Sequence, residues 1–202
     1  MTGQFGARPR VRATDSKERL FAASMALLGR RGVNAVSVEE IARAAGVSKG
    51  TVYYNFGSKE KMIGALLEFG AQKLLDQLAR NASVEDPMAA LEAMVRSAFG
   101  FVQEYPSYAQ LWVSEQQRGE SPWGDQVQEF RQLITEQITE ALRRAVQVPE
   151  PLLAASARAM FGAALLTARE RSDGQAPPDL DTNTLAVMAT VHGLRAMARD
   201  AA

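Results

Sequence analysis

Cysteine is absent from the 202-residue chain and histidine occurs once, at His192. Without thiols there are no disulfides, no thiolate metal ligands and no cysteine nucleophile. A lone imidazole cannot assemble a histidine-rich zinc centre, and on a helix it is more often a structural residue. Long apolar runs are also missing. None reaches the 18 or so residues of a membrane span, and the basic N-terminus lacks the apolar segment of a signal peptide. No membrane partner is therefore expected, and the expected compartment is the cytoplasm. There is no G-x-S-x-G elbow to support a serine nucleophile and no acid–base constellation. Accordingly no catalytic residue, metal or cofactor is expected, and a small helical enzyme is the weakest of the readings. Strand-type alternation and internal repeats are absent too, which points to an all-α chain.

What the chain does have is apolar content: 47% of its residues are hydrophobic, enough for one large or two small cores. Its net charge of zero hides a division. Residues 1–61 carry eleven Lys and Arg against five acids, a net +6, and the remainder carries twelve against eighteen, a net −6. A basic head on an acidic body is drawn to a polyanion by one end only.

Within the basic head, the stretch Ser37–Lys61 reads as two short helices hinged at a glycine. Ser37 and Glu40 have the spacing of a capping box, which starts a helix near Val38. Val38, Ile41, Ala42 and Ala45 form its apolar stripe, and Gly46 permits the positive φ that turns the chain. Ser48 caps the next helix, in which Val52 and Phe56 face inward. Its opposite surface carries Lys49, Gly50, Thr51, Tyr53, Tyr54 and Asn55. Lysine and asparagine can hydrogen-bond base edges or phosphates, threonine offers a hydroxyl and a methyl, and tyrosines reach the backbone. Gly50 costs such a helix about 1 kcal/mol relative to alanine, but it permits close approach to a groove. Ser58 caps a further helix, and Lys59 beside its amides makes a phosphate seat. The plainer alternative treats the tyrosines as half-buried packing, Tyr53 more than Tyr54, and the lysines as solvated charge.

The run G-V-S-K-G-T-V-Y-Y-N-F-G-S-K-E-K from Gly46 to Lys61, preceded by G-R-R-G-V-N-A-V-S-V-E-E-I-A, closely resembles the DNA-binding domain of TetR-type transcriptional regulators. The resemblance covers roughly the first 60 residues. It implies that Ser37, Lys49, Thr51, Tyr53, Tyr54 and Lys59 touch double-stranded DNA, with Gly50 at the close approach. Many members carry histidine where this chain has Asn55, whose amide can still donate to a phosphate. The resemblance also implies that a connector helix sets the spacing of two DNA-reading heads, and that the second domain binds a small effector.

Taken in order, residues 1–13 hold Gly3, Gly6, Pro9 and three arginines without apolar periodicity, and are expected to form a flexible basic arm. A first helix is expected from near Asp15 to Gly32, with Leu20, Phe21, Met25 and Leu28 as its core face. The helix-turn-helix domain is expected over 14–61 and an effector-binding and dimerisation domain over 62–202. About nine helices are expected in all, three of them in the head. In the second domain Ser121–Pro122 is read as restarting a helix, and Pro149 and Pro151 as a break before a helix from Leu152. Aromatic residues cluster in the middle helices. Helical spacing of aromatics usually means plain core, but together they can line an apolar ligand cavity. The candidates are Phe99, Tyr108, Trp112, Trp123 and Phe161. The last two helices are rich in alanine and glycine, which suits either an internal core or a close interface between two copies.

Two functional readings of different class follow. One is a ligand-released repressor that binds a pseudo-palindromic operator as a homodimer, with a partly apolar small-molecule effector. The other is a helical ligand-binding or scaffold protein that contacts nucleic acid without sequence choice.

Overall fold

The structure is a computed structural model that describes residues 9–117, 120–172 and 179–200. Among the described residues there are nine helices and no strand, in keeping with the all-α expectation. They are α1 (Pro9–Arg31), α2 (Val38–Ala44), α3 (Lys49–Phe56), α4 (Lys59–Ala82), α5 (Pro87–Glu104), α6 (Pro106–Gln117), α7 (Gly124–Ala145), α8 (Glu150–Ser172) and α9 (Leu180–Asp200). The chain divides into two compact units between Phe69 and Gly70, a point inside α4.

The arm expected over residues 1–13 needs correction. Residues 1–8 lie outside the described residues, whereas residues 9–13 are already helical, so α1 (Pro9–Arg31) includes residues ahead of Asp15. Arg10, Arg12 and Ala13 in this segment are good helix formers.

The first unit is built on α1. Leu20, Phe21, Met25 and Leu28 are all buried, as their spacing predicts, and so are Val38, Ile41 and Ala42 of α2, Val52 of α3 and Met62, Ile63 and Leu66 of α4. Each such side chain contributes about 1.5–3 kcal/mol when fully removed from water. The Phe21 and Phe69 rings meet edge to face at 5.4 Å. Gly32 ends α1 with φ +76°, and its amide closes on the Leu28 carbonyl at 2.7 Å.

The second unit packs α8 against α6 and α7, and α5 against α7, α8 and α9. α5 starts as the sequence indicates: Asp86 accepts from the amides of Met88 and Ala89, and Pro87 takes the first helical position. Two boundaries differ from expectation. α7 begins at Gly124 and not at Pro122: residues 121–124 form a turn closed by the Gly124 amide on the Ser121 carbonyl at 3.1 Å, with the Ser121 hydroxyl donating to Glu115 Oε2 at 2.5 Å and accepting from the Trp123 amide at 3.1 Å. α8 begins at Glu150, so Pro151 sits in a first turn, where proline is tolerated, instead of preceding the helix.

Candidate functional site

Both short helices of the head are held by their own caps. Ser37 Oγ accepts from the Glu40 amide (3.2 Å) while Glu40 Oε2 accepts from the Ser37 amide (2.8 Å), the reciprocal capping box. Arg31 adds to this corner by donating to Glu40 Oε1 and to the Ala35 carbonyl, both at 2.7 Å. The Ser37 amide, then Arg31 and the Ser37 hydroxyl, bring the Glu40 carboxyl down to about 2. Gly46 has φ +67°, and the Val47 amide reaches back to Ala42 at 2.9 Å. A left-handed backbone of this kind is strained for any residue with a Cβ, so the hinge needs its glycine. Ser48 then caps α3 by accepting from the Thr51 amide at 3.0 Å.

α3 buries Val52 and half-buries Phe56. Lys49, Gly50, Thr51, Tyr53, Tyr54 and Asn55 are all exposed. Tyr54 is 92% exposed and Tyr53 42%, the order expected from the sequence. Several of these side chains are engaged within the chain. Thr51 Oγ1 and Ser48 Oγ share a hydrogen bond at 2.7 Å, and Asn55 Nδ2 donates to the Thr51 carbonyl at 2.7 Å. Lys49 is ion-paired with Glu39, and its ammonium stands 5.6 Å from the centre of the Tyr53 ring. That pairing, chiefly through its hydrogen bond, raises the Lys49 ammonium and lowers the Glu39 carboxyl relative to their ordinary values.

Lys59 follows the Ser58 cap, which accepts from the Lys61 amide at 3.1 Å. Its ammonium donates to the Val33 carbonyl at 2.5 Å, anchoring the segment between α1 and α2 to the start of α4. Ser37, also a candidate, is exposed, but its hydroxyl serves the capping box. Sequence reasoning did not single out Glu39 as part of this surface. The signal was an acid and a lysine on opposite sides of a glycine turn, a separation that lies beyond the neighbouring-turn pairs of a single helix.

The second unit holds a cavity of about 60 Å³ bounded by α4, α5, α6, α7, α8 and α9. Phe99, Tyr108, Trp112 and Phe161 line it; Trp123, though buried, does not. Leu78, Leu91, Met94, Ile134, Ile138 and Val187 complete much of the wall, and no charged side chain faces it. The Trp112 and Phe161 rings meet at 6.0 Å, and Trp112 Nε1 donates to the Tyr108 hydroxyl at 3.1 Å. Burial pushes the Tyr108 phenol well above its usual range, so it stays neutral.

On α8 and α9 several apolar side chains face water. Leu166 is 62% exposed, Leu185 71% and Met197 59%. Around them Ala155, Ala159, Ala186, Ala189 and Gly193 are exposed as well. His192 lies on the same stretch of α9 and is exposed, away from any cluster of metal-ligating side chains among the described residues.

A capped α2, a glycine hinge and a short α3 with an exposed polar face define a helix-turn-helix head attached to an all-α body. Residues 16–66 match the family model described as bacterial regulatory proteins, tetR family. The head is therefore similar to the DNA-binding domain of that family. It is 33% identical over 108 residues to the HTH-type transcriptional regulator BetI of Rhizobium meliloti (strain 1021), a match covering 52% of this chain and 53% of the relative. The chain spans about half the length of the relatives it matches in sequence. Two solved structures share the fold over nearly the whole chain. One is AibR in complex with isovaleryl coenzyme A and operator DNA (TM-score 0.67, 17% identity, 89% of this chain and 98% of that one). The other is the transcriptional regulator FadR of Bacillus subtilis with stearoyl-CoA (TM-score 0.68, 16% identity, 86% and 96%). No helix among the described residues is long and apolar enough to cross a membrane.

Proposed function

We propose that this chain is a homodimeric transcriptional repressor that binds a pseudo-palindromic operator through α3 and is released by a small molecule held in its second unit. The observation that carries this reading is the surface of α3. Lys49, Gly50, Thr51, Tyr53, Tyr54 and Asn55 all face solvent on a helix fixed at its start by Ser48 and behind by Val52. A helix so anchored can enter a major groove with its first residues against base edges while its neighbours meet phosphates. The excess of positive charge in residues 1–61 supplies the attraction that brings it there.

One short recognition helix makes few base contacts, and two related by a two-fold axis read half-sites about one helical turn (34–36 Å) apart. The exposed apolar side chains of α8 and α9 suit that pairing. No charged residue lies between Asp181 and Arg195, and the exposed alanines allow close helix approach. The apolar cavity suits an effector with a hydrocarbon portion, and the acyl-CoA complexes of AibR and FadR have comparable folds. α4 contributes Ala71, Leu74 and Leu78 to the cavity wall and starts at Lys59, so a ligand that moves this wall acts on the helix that begins at the candidate phosphate seat.

The test is nuclease protection of DNA flanking the gene, with the protein in excess. Two protected half-sites about one turn apart are expected, and Leu185→Asp should yield a monomer in sedimentation with protection lost. Binding that is equal on all sequences, with no protected half-sites, would instead support the scaffold reading with non-specific nucleic-acid contact.

A further inference from the structure

The cavity leaves one question that its chemistry can address: which part of an effector it accepts, and where the rest goes. At about 60 Å³ it is smaller than the roughly 150 Å³ that accommodates benzene in an engineered protein core. An effector of useful size must therefore displace a wall. Phe101 is the one residue that lines both this cavity and a second depression, a polar groove of about 370 Å³ between α4 and α5. Its ring is buried, 5.0 Å from that of Tyr105 and 5.6 Å from that of Tyr108. On the groove side stand Gln77, Arg80, Asn81, Ser97 and Glu104.

We infer that the effector is an elongated, uncharged amphiphile whose hydrocarbon body occupies the apolar cavity and whose hydroxyl, carbonyl or amide head lies in the α4–α5 groove, with Phe101 turned aside between them. This rests on the effector reading proposed above. The body is apolar because a charge placed among Leu91, Met94 and Ile138 would be desolvated without compensation. The head is polar because the groove offers hydrogen bonds. Asn81 Nδ2 donates to Ser97 Oγ at 2.5 Å and to the Ala93 carbonyl at 3.3 Å. Those bonds fix both side chains and leave the Ser97 proton and Asn81 Oδ1 unclaimed by other described residues. The head is uncharged because Arg80 and Glu104 contribute opposite charges to one groove, so that neither sign of ion gains a net partner. Gly100 borders the groove next to Phe101, and a Cβ at that position would meet nothing within 4 Å. Packing within the chain does not demand this glycine, whereas the open space beside it suits a ligand.

The test uses the full chain and three probes: toluene, 1-decanol and decanoate. Occupancy is read from the indole N–H resonance of Trp112, assigned with Trp123→Phe. Toluene and 1-decanol should both shift it, with decanoate binding at least tenfold more weakly than 1-decanol. Ser97→Ala should weaken 1-decanol by about three- to tenfold, the value of one hydrogen bond, and leave toluene within twofold. Gly100→Leu, whose Cβ would meet nothing within 4 Å and whose side chain starts at the groove wall, should do the same. Equal losses for toluene and 1-decanol, indifference of 1-decanol to both variants, or tighter binding of decanoate would overturn the head groove while leaving the cavity as an effector site. Failure of every probe to shift Trp112 would overturn the effector reading and this inference with it.

Discussion

Lys49, the first residue of the candidate recognition helix, is ion-paired across the glycine turn with Glu39 of α2. In the free head a lysine offered to DNA is thus already occupied, and phosphate must compete with a carboxylate for it. Both side chains are well exposed, and ion pairs of this kind add little to folding. The consequence falls on binding instead. Glu39→Gln should tighten DNA binding a few-fold for specific and random sequences alike, with an unchanged thermal midpoint. Fluorescence anisotropy on both DNAs, beside a melting curve, checks it. A loss of affinity would mean that Glu39 positions Lys49 and does not compete with DNA for it.

Glu40 gives a pH prediction. Its carboxyl stands at about 2 in the folded head against an ordinary 4.5, held down by the Ser37 amide and then by Arg31. A folded value below the unfolded one means that the cap's stabilising contribution is fully present above about 4.5 and is lost as the pH falls from there toward 2. Glu40→Gln should therefore lower the thermal midpoint of the head at neutral pH, and the gap from wild type should close on acidification through that window. Melting curves at stepped pH follow it; a gap independent of pH would place the effect in packing and not in charge.

Gly50 separates folding from binding. A Cβ there would meet only Ser48 Oγ, at an ordinary 3.7 Å, so the chain itself has room for alanine. Gly50→Ala should stabilise α3 by up to about 1 kcal/mol and yet weaken DNA binding at least tenfold, because the added methyl stands between helix and groove. Denaturant unfolding and anisotropy, run on the same variant, should move in opposite directions. A variant that is both more stable and fully able to bind would place the closest approach elsewhere.

The head was legible in the sequence because its determinants are local. Ser37 with Glu40 and Ser48 with Thr51 act over three positions, Gly46 acts alone, and the stripe from Leu20 to Leu28 repeats at the helical period. The all-α architecture, with nine helices among the described residues, followed from the same signals. Other features depend on packing that no local pattern encodes. Four of the five aromatic candidates converge on the cavity, whereas Trp123 is buried at the start of α7 outside it, a difference set by how the helices pack. Phe101 faces the cavity and the groove together, which only the pairing of α4 with α5 makes visible. Residues 9–13 are helical although they carry no apolar periodicity, so the period that marks the rest of α1 gives no sign of them.

Operator recognition depends above all on α3 choosing among DNA sequences. The direct measurement is the ratio of affinities for the flanking operator fragment and a random fragment of equal length, at fixed salt, for wild type and for the Thr51→Ala, Tyr54→Ala double variant. Wild type should prefer the operator by about 10³-fold or more, and the double variant should lose most of that preference while retaining its affinity for random DNA. An unchanged ratio in a folded double variant would contradict the assignment of sequence reading to this helix.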